Sequence, residues 1–284
     1  MAAPTSPSPN PARWRPSPLV SASLGLHAGA LALLVARPSA WPWAVGAILA
    51  DQALLAAIGL IPRSTLLGPN WTRLPAGAID RREVAITVDD GPDPRITPRV
   101  LDLLDERGAK ATFFCIGERV QRHAELAREM VRRGHSVENH SQRHLSHFSL
   151  LGPRGLVAEI ERAQDTIGIT TGQHPWFFRA PAGLRSPFLD PVLSRLGLRL
   201  ASWTRRGFDT VSVRAEAVLG KLTRGLGPGD ILLLHDGHAA LTGNGVPIVL
   251  EVLPRLLDSI AAAALTPVTL RAALGSGSRE AAAA

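Results

Sequence analysis

Short apolar runs alternate with longer helix-like segments over most of this 284-residue chain, from residue 84 onward. Strands separated by helices predict a parallel α/β sheet, because each helix returns the chain to the edge where the previous strand began. The spacing alone does not distinguish an open sheet from a barrel. The predicted strands are residues 84–89, 111–116, 136–139, 176–180, 199–203, 230–235 and 267–270, and the predicted helices are residues 97–107, 118–133, 154–167, 186–196, 212–224 and 246–260.

The strand at residues 84–89 ends in two adjacent carboxylates, Asp89 and Asp90, and the Gly91-Pro92 pair that follows cannot continue a strand. In parallel α/β folds, ligands bind beyond the carboxyl ends of the strands. Two neighbouring carboxylates repel each other unless a cation or a shared proton lies between them. This stretch therefore predicts either a cation site or, more simply, a turn that caps the next helix.

Two histidines four residues apart, His140 and His144, follow the predicted strand at residues 136–139. On a helical turn this spacing would place both rings on one face, which suits a metal ion. His235 ends another predicted strand. One carboxylate and two histidines make a three-ligand metal site with open positions, and they leave a carboxylate and a histidine as base and acid. The same ligand set also serves non-haem iron oxygenases, so the ligands alone leave a metal oxidase open.

Four segments resemble, in order, the main motifs of the polysaccharide deacetylase family, also called the NodB homology domain or carbohydrate esterase family 4. These segments are residues 87–92, 140–144, 179–183 and 231–235, and the resemblance spans about residues 80–272. It implies an α/β fold with a distorted (β/α)7-type barrel. It also implies a metal-dependent hydrolase that cleaves the carbon–nitrogen bond of a linear amide other than a peptide.

The resemblance implies roles for the chemically reactive residues. Asp90, His140 and His144 would bind a divalent metal, most often zinc, with cobalt, nickel or manganese as alternatives. Asp89 would be the general base that deprotonates water. His235 would be the general acid that protonates the leaving nitrogen.

The resemblance also implies supporting residues around this centre. Arg179 would orient Asp89, and Asp209 would be the partner of Arg179. Either Asp236 or Asp209 would tune the pKa of His235. The predicted substrate-binding residues are Pro181, Ala182, Trp203 and Leu233.

Two regions depart from the family pattern. Many members have tyrosine where this chain has Ala182, so a backbone donor to an oxyanion survives but a ring that contacts the sugar is lost. The Asp-x-x-Asp-Trp pattern is not intact in residues 201–210, where only Trp203 and Asp209 are carried over. Ionisable side chains near the predicted mouth could favour an anionic group such as phosphate, namely those of Arg205, Arg206 and His238.

Two apolar segments precede this domain, residues 19–36 and 41–61, and each is long enough to cross a membrane. They predict a transmembrane helical hairpin within residues 19–62, in which Asp51 is costly in lipid and either faces the partner helix or marks a function. A cleaved signal peptide, a buried soluble hairpin, and one span beside a surface helix are the alternatives. The remaining predicted parts are a disordered N-terminus at residues 1–18, a linker at residues 63–80, the catalytic domain at residues 81–272 and a disordered tail at residues 273–284.

The net charge of +7 comes mostly from scattered arginines, with no basic run, so we expect no nucleic-acid partner. More arginines flank the hairpin outside its loop than within it. The two apolar segments predict a multi-pass protein of a bacterial-type inner membrane. The positive-inside rule favours the orientation that places its catalytic domain in the cytoplasm. Cleavage of the first segment would place that domain outside. The single cysteine, Cys115, excludes an intrachain disulfide.

The sequence thus predicts a membrane-anchored hydrolase that removes an N-acyl group, acetyl in the first instance, from an amino sugar of a polysaccharide or glycan. One alternative is a deacetylase or deformylase of a lipid-linked sugar. Another is a carbohydrate-binding relative without catalysis. The sequence specifies no protein partner.

Overall fold

A computed structural model describes residues 14–280, the side chains of residues 276–280 excepted. Two helices, α1 (Pro18–Ala36) and α2 (Trp41–Gly59), precede an α/β domain. The strands of the domain are β1 (Glu83–Asp89), β2 (Ala111–Cys115), β3 (Ser136–Asn139), β4 (Phe177–Phe178), β5 (Arg199–Leu200), β6 (Arg205–Arg206), β7 (Ile231–His235) and β8 (Thr266–Pro267). Its helices are α3 (Ala76–Asp80), α4 (Thr97–Asp105), α5 (Gly117–Arg122), α6 (Ala124–Arg132), α7 (Pro153–Thr171), α8 (Leu189–Arg195), α9 (Ala215–Thr223), α10 (Ile248–Ala262) and α11 (Leu270–Glu280).

The strands form one parallel sheet in the order β5-β4-β3-β2-β1-β7-β6, with β8 beside the start of β1. The sheet curls into a half-barrel, so the predicted distorted α/β barrel is confirmed. Its two edge strands, β5 and β6, are joined directly by residues 201–204. The chain just before β1 packs across this opening, because Trp71 bridges to Ala201 and Arg73 bridges to Asp230.

The two faces of the sheet are buried against different layers. On the outer face, Ile86 and Val88 pack with residues of α4 and α10. On the inner face, Ala85, Leu233 and Trp203 pack with residues of α3 and α11, which close one end of the half-barrel. Strands buried on both faces read as continuous apolar runs, and this explains why β1 and β7 stand out in the sequence.

Several predicted boundaries differ from the structure, among them strands β4, β5 and β8, which are shorter than predicted. The helix predicted over residues 118–133 is divided at His123, whose backbone is not helical, into α5 and α6. The segment predicted as a linker is instead packed against the domain, with Leu67, Leu74 and Ala78 buried. The tail predicted to be disordered from residue 273 begins inside α11; residues 281–284 lie outside the described part.

The N-terminal helices form a hairpin whose polar residues meet between them. The Ser23 hydroxyl donates a 2.6 Å hydrogen bond to Oδ2 of Asp51, so Asp51 faces the partner helix as predicted. Both helices are long and apolar enough to cross a membrane, although length and composition alone are weak support for that. Most of their large apolar side chains are exposed, among them Leu31, Trp43 and Leu49. Residues 1–13 of the predicted disordered N-terminus lie outside the described residues.

The end of α2 is attached to loops of the α/β domain. The Arg185 backbone N–H donates to the Gly59 carbonyl at 3.1 Å, and the Ser202 hydroxyl donates to the Pro62 carbonyl at 2.6 Å. A β-carbon on Gly183 would lie 2.7 Å from the Pro62 ring, so only glycine fits at this contact. The hairpin therefore ends directly against residues 181–185 and 202–204.

The buried histidine before β3 gives the fold a pH-dependent stability. His135 is 3% exposed and accepts a hydrogen bond from the Ala111 N–H. Burial, assisted by the positive charge of Lys110, lowers the pKa of His135 to about 4, while the unfolded chain titrates near 6.5. The unfolded state thus binds the extra proton between these values. We expect the free energy of unfolding to fall by up to about 3 kcal/mol as the pH drops from about 6.5 to about 4.

Urea titrations of the metal-free full chain in neutral detergent at pH 7 and pH 4.5 would measure this loss. His135→Asn retains an acceptor for the Ala111 N–H but does not titrate, so its pH dependence should be flatter than that of the unmodified chain. The matched control is His174→Asn, at an exposed position. Equal pH dependence in both variants would contradict the assignment to His135.

Candidate active site

The predicted reactive residues meet at the carboxyl ends of neighbouring strands. Asp89 ends β1, and His235 ends β7 directly beside it in the sheet. His140 follows β3, and Arg179 follows β4. They surround a cavity of about 330 Å³, whose lining includes Asp89, Asp90, His140, His144 and His235.

Three ligand atoms converge on one point beside this cavity. Oδ1 of Asp90 lies 3.3 Å from Nε2 of His140 and 3.3 Å from Nε2 of His144. Four ligands placed tetrahedrally about 2.1 Å from a zinc ion would be about 3.4 Å apart, so the spacing fits such an ion. Oδ1 of Asp90 is also buried without a hydrogen-bond partner. These three residues thus have the geometry of a metal site, and Oδ1 of Asp90 is a buried oxygen that a metal ion would satisfy.

The surrounding hydrogen bonds orient the ligands. Nδ1 of His140 lies 2.8 Å from the Arg179 carbonyl, which can only accept, so this nitrogen carries the proton and Nε2 presents its lone pair. Nδ1 of His238 lies 2.9 Å from Oδ2 of Asp90, which leaves Oδ1 facing the two histidines. Partners of this kind fix the tautomer and direction of metal ligands.

The electrostatics of Asp90 and His144 favour the forms that bind a metal. Burial by itself raises the pKa of Asp90, but its contacts with His140 and His238 outweigh burial and hold this pKa well below the usual range. Burial lowers the pKa of His144 to about 4, and the adjacent His140 adds to the effect. At neutral pH the carboxylate is therefore ionised and the His144 ring is neutral.

The two histidines converge through an irregular turn and not through the helical turn that their spacing suggested. Residues 140–144 lie outside any helix, and the two rings are 4.9 Å apart between centroids. The turn depends on left-handed backbone at Ser141 and His144, with φ of 63° and 52°. Several non-glycine residues of the site share such strained backbone, which is typical of functional sites. They are Asp90, Ser141, His144, Ala182 and Phe208.

Asp89 is held by a buried arginine. Nη1 of Arg179 donates to Oδ1 of Asp89 at 2.6 Å and to the Thr87 hydroxyl at 2.8 Å. The other guanidinium nitrogens donate to the carbonyls of Ala201 and Ser202. Oδ2 of Asp89 is not bonded to Arg179 and lies 3.9 Å from Nε2 of His140. The predicted pairing of Arg179 with Asp89 is thus present, and one carboxylate oxygen faces the metal site.

Asp209 contacts His235 and not Arg179, which corrects the predicted pairing. Oδ1 of Asp209 accepts from Nδ1 of His235 at 2.9 Å, and Oδ2 accepts from the His235 backbone N–H at 2.7 Å. Burial lowers the pKa of His235, but the Asp209 carboxylate outweighs burial, so the net shift is upward. Nε2 is then the nitrogen of His235 left to meet a ligand.

Asp236, the other residue predicted to tune His235, points elsewhere. It accepts a hydrogen bond from the Thr97 hydroxyl and is fully buried beneath the turn at Gly91. Burial raises its pKa to about 7, and the negative charge of Asp90 contributes. Asp236 therefore supports the turn after β1 and does not line the cavity.

The predicted substrate-binding residues are only partly in the cavity wall. Ala182, Trp203 and Leu233 line it, whereas Pro181 is buried beside it. The sequence suggested His238 and Arg206 only as residues near the mouth, and both line the cavity. Two further residues, Gly183 and Thr210, line the cavity but were not predicted. The only sequence signals for them were that Gly183 belongs to a motif and that Thr210 follows Asp209.

Comparisons with known proteins agree with this geometry. A family model described as polysaccharide deacetylase matches residues 69–201. A peptidoglycan-N-acetylglucosamine deacetylase of Bacillus cereus is 34% identical over 62% of this chain and 81% of its own length. A chitooligosaccharide deacetylase of a Bradyrhizobium species is 35% identical over 55% of this chain and 72% of its own length.

A solved structure supports the fold. The crystal structure of a carbohydrate esterase family 4 pseudoenzyme from Bacillus anthracis superposes with a TM-score of 0.64. The match covers 72% of this chain and 68% of that protein, at 20% identity. At this identity the likeness concerns the fold alone.

Proposed function

This chain belongs to the polysaccharide deacetylase family, and from that membership we propose that it hydrolyses the N-acetyl amide of an amino sugar in a glycan, with a divalent metal at Asp90, His140 and His144. The observation that carries the proposal is the arrangement of Asp89 and His235. These two residues end neighbouring strands, each is oriented by its own buried partner, and both line the cavity beside the metal ligands.

Zinc is the metal we propose first, with cobalt, nickel or manganese as substitutes. Two histidines and one carboxylate suit zinc and leave open positions for water and substrate. When bound, such an ion polarises the amide carbonyl and lowers the pKa of a coordinated water.

Asp89 is the proposed general base. Arg179 holds Oδ1 at 2.6 Å, so Oδ2 is the oxygen left to accept a proton from the attacking water. The fixed guanidinium also prevents the carboxylate from rotating away. Nearby, the backbone N–H of Ala182 in the cavity wall is the proposed donor to the developing oxyanion.

His235 is the proposed general acid. Asp209 accepts a hydrogen bond from the Nδ1–H of His235, so Nε2 carries the second proton when the ring is charged. The raised pKa increases the charged fraction near neutral pH. His235 would then give the Nε2 proton to the departing nitrogen, which leaves as a neutral amine together with free acetate.

We also propose that the site works at a membrane surface. The exposed apolar side chains of α1 and α2 form a surface that a lipid bilayer would cover. Because α2 ends against Gly183 and Ser202, the cavity would open close to the headgroups. This contact favours, as a second candidate substrate, an amino sugar linked to a lipid, with an acetyl or formyl group removed.

The test is release of small acid by the full chain in neutral detergent. The protein would be treated with a chelator, dialysed and reloaded with zinc or cobalt. Substrates would be N-acetylglucosamine oligomers and acetylated or formylated lipid-linked amino sugars. We expect acetate or formate release that is lost with the chelator and restored by the metal.

His140→Ala should lose both bound metal and acid release, since it removes one of three ligands. His147→Ala, an exposed histidine on the same segment, is the matched control and should retain both. Metal binding without release from any substrate would instead favour a carbohydrate-binding relative without catalysis.

A further inference from the structure

One cationic side chain in the cavity wall has no role in the reaction described above. Arg206 lies on β6 opposite Leu233 of β7, and both line the cavity. Its neighbour Arg205 lies opposite Leu232, on the other face of the sheet. The alternation of side chains along β6 therefore directs Arg206 inward and Arg205 outward.

The two arginines differ in their partners. Arg205 forms an ion pair with Asp230 and donates to the carbonyls of Arg224 and Gly225. Within residues 14–275, the Arg206 guanidinium forms no ion pair, and its Nε is buried without a hydrogen-bond partner. A half-buried guanidinium without an acceptor is costly, because its donors have lost water and gained nothing in return.

Aromatic rings hold this guanidinium in place. Its central carbon lies 5.3 Å from the ring centroid of Trp203 and 5.0 Å from that of Phe208. Lys221 contacts the Phe208 ring from 4.7 Å, which adds a second positive charge at this edge. Stacking on rings orients the planar fork without using its N–H groups, and those of the two terminal nitrogens remain available to an oxyanion.

The acidic residues of the cavity do not neutralise Arg206. Asp89 is paired with Arg179, Asp209 with His235, and Asp90 belongs to the metal site. With a divalent ion bound, the field in the cavity is therefore attractive to an anion beside the scissile amide.

We propose that Arg206 is an anion-binding subsite and that the substrate is an amino sugar carrying a carboxylate or phosphate near its N-acyl group. This inference rests on the proposed function, whose substrate class it narrows. The oxyanion would accept the N–H groups of the guanidinium fork while the amide reaches the metal site. A neutral sugar would leave these donors unsatisfied.

Deacetylation kinetics of the zinc-loaded full chain in neutral detergent would test this subsite. Three matched substrates would be compared: neutral N-acetylglucosamine oligomers, oligomers of equal length containing N-acetylmuramic acid, and N-acetylglucosamine 1-phosphate. Arg206→Gln should raise KM for an anionic substrate about 10- to 100-fold, as expected for loss of a charged hydrogen bond, with little change in kcat. For the neutral oligomer, kcat/KM should change less than about 3-fold.

Two further variants separate charge from structure. Arg206→Lys keeps the cation without the planar fork, so its KM should fall between those of the unmodified chain and Arg206→Gln. Arg214→Gln removes the same charge from an exposed position outside the cavity and should behave as the unmodified chain. The substrate whose KM depends on Arg206 identifies the anion as a sugar carboxylate or a phosphate.

An equal loss with neutral and anionic substrates would overturn the proposal, because Arg206 would then only support the Trp203 wall. Absence of acid release from every substrate would count against the proposed function, and direct binding then decides the subsite. By calorimetry, glucosamine 1-phosphate should bind the unmodified chain at least about 10-fold more tightly than glucosamine, and Arg206→Gln should remove this difference. Muramic acid, which carries a carboxylate, would be titrated in the same way. If neither anionic sugar binds the unmodified chain more tightly than glucosamine, the subsite is overturned whatever the turnover.

Discussion

Asp89→Asn should leave metal binding intact and lower turnover by about 10³-fold, within the range found when a general base is removed. The asparagine amide can still accept from Arg179, so the local structure should persist. It cannot take a proton from water, and it removes no metal ligand because Oδ1 of Asp90 is the convergent oxygen. Metal content by elemental analysis and acetate release on the same samples would separate the two effects.

Asp236→Asn is the matched control for this variant. It changes the same chemical group directly after the neighbouring strand, but Asp236 is fully buried and does not line the cavity. Because burial raises the pKa of Asp236 to about 7, a large share of this residue is already neutral at that pH. Turnover should therefore change by less than about 5-fold. Turnover retained in Asp89→Asn would remove that residue from the role of base.

The parts of the site that the sequence predicted are those tied to the ends of strongly marked strands. β1 and β7 are buried on both faces, so their apolar runs are unmistakable, and their last residues are Asp89 and His235. The three predicted metal ligands, Asp90, His140 and His144, were identified from the order of the motifs in the sequence. Position at a strand end is enough to bring such residues together, since parallel strands end at one edge of the sheet.

Contacts that depend on loops and short edge strands were not predictable. Asp209 reaches His235 because the preceding Phe208 has left-handed backbone, with φ of 62°, which a sequence does not reveal. β6 has only two residues, so the hydrophobic pattern of the sequence could not indicate that Arg206 faces inward and Arg205 outward. The packed segment before β1 contains Pro and Gly and resembles a linker, although Leu74 is buried in the half-barrel.

Arg179→Met should destabilise the fold by about 3–5 kcal/mol, the usual cost of removing one partner from a buried ion pair. Arg179 is 1% exposed, it lies 4.1 Å over the Phe114 ring, and its guanidinium joins β1 to residues 201–204 between the edge strands. Its loss would leave the Asp89 carboxylate buried without its partner. Urea unfolding of the metal-free chain at pH 7 would measure the change, with Arg255→Met as a control at the exposed ion pair with Glu216, expected within about 1 kcal/mol.

The double variant Arg179→Met with Asp89→Asn separates stability from catalysis. If the cost of Arg179→Met comes from the unpaired carboxylate, neutralising Asp89 should recover about 1–3 kcal/mol of it. Turnover should not recover, because the base itself is absent. Recovery of stability without recovery of turnover would mean that the pair is held together by mutual charge compensation and that its catalytic value lies in Asp89. No recovery of stability would instead assign the loss to the carbonyl and aromatic contacts of Arg179, so the arginine would support the fold chiefly by joining β1 to residues 201–204.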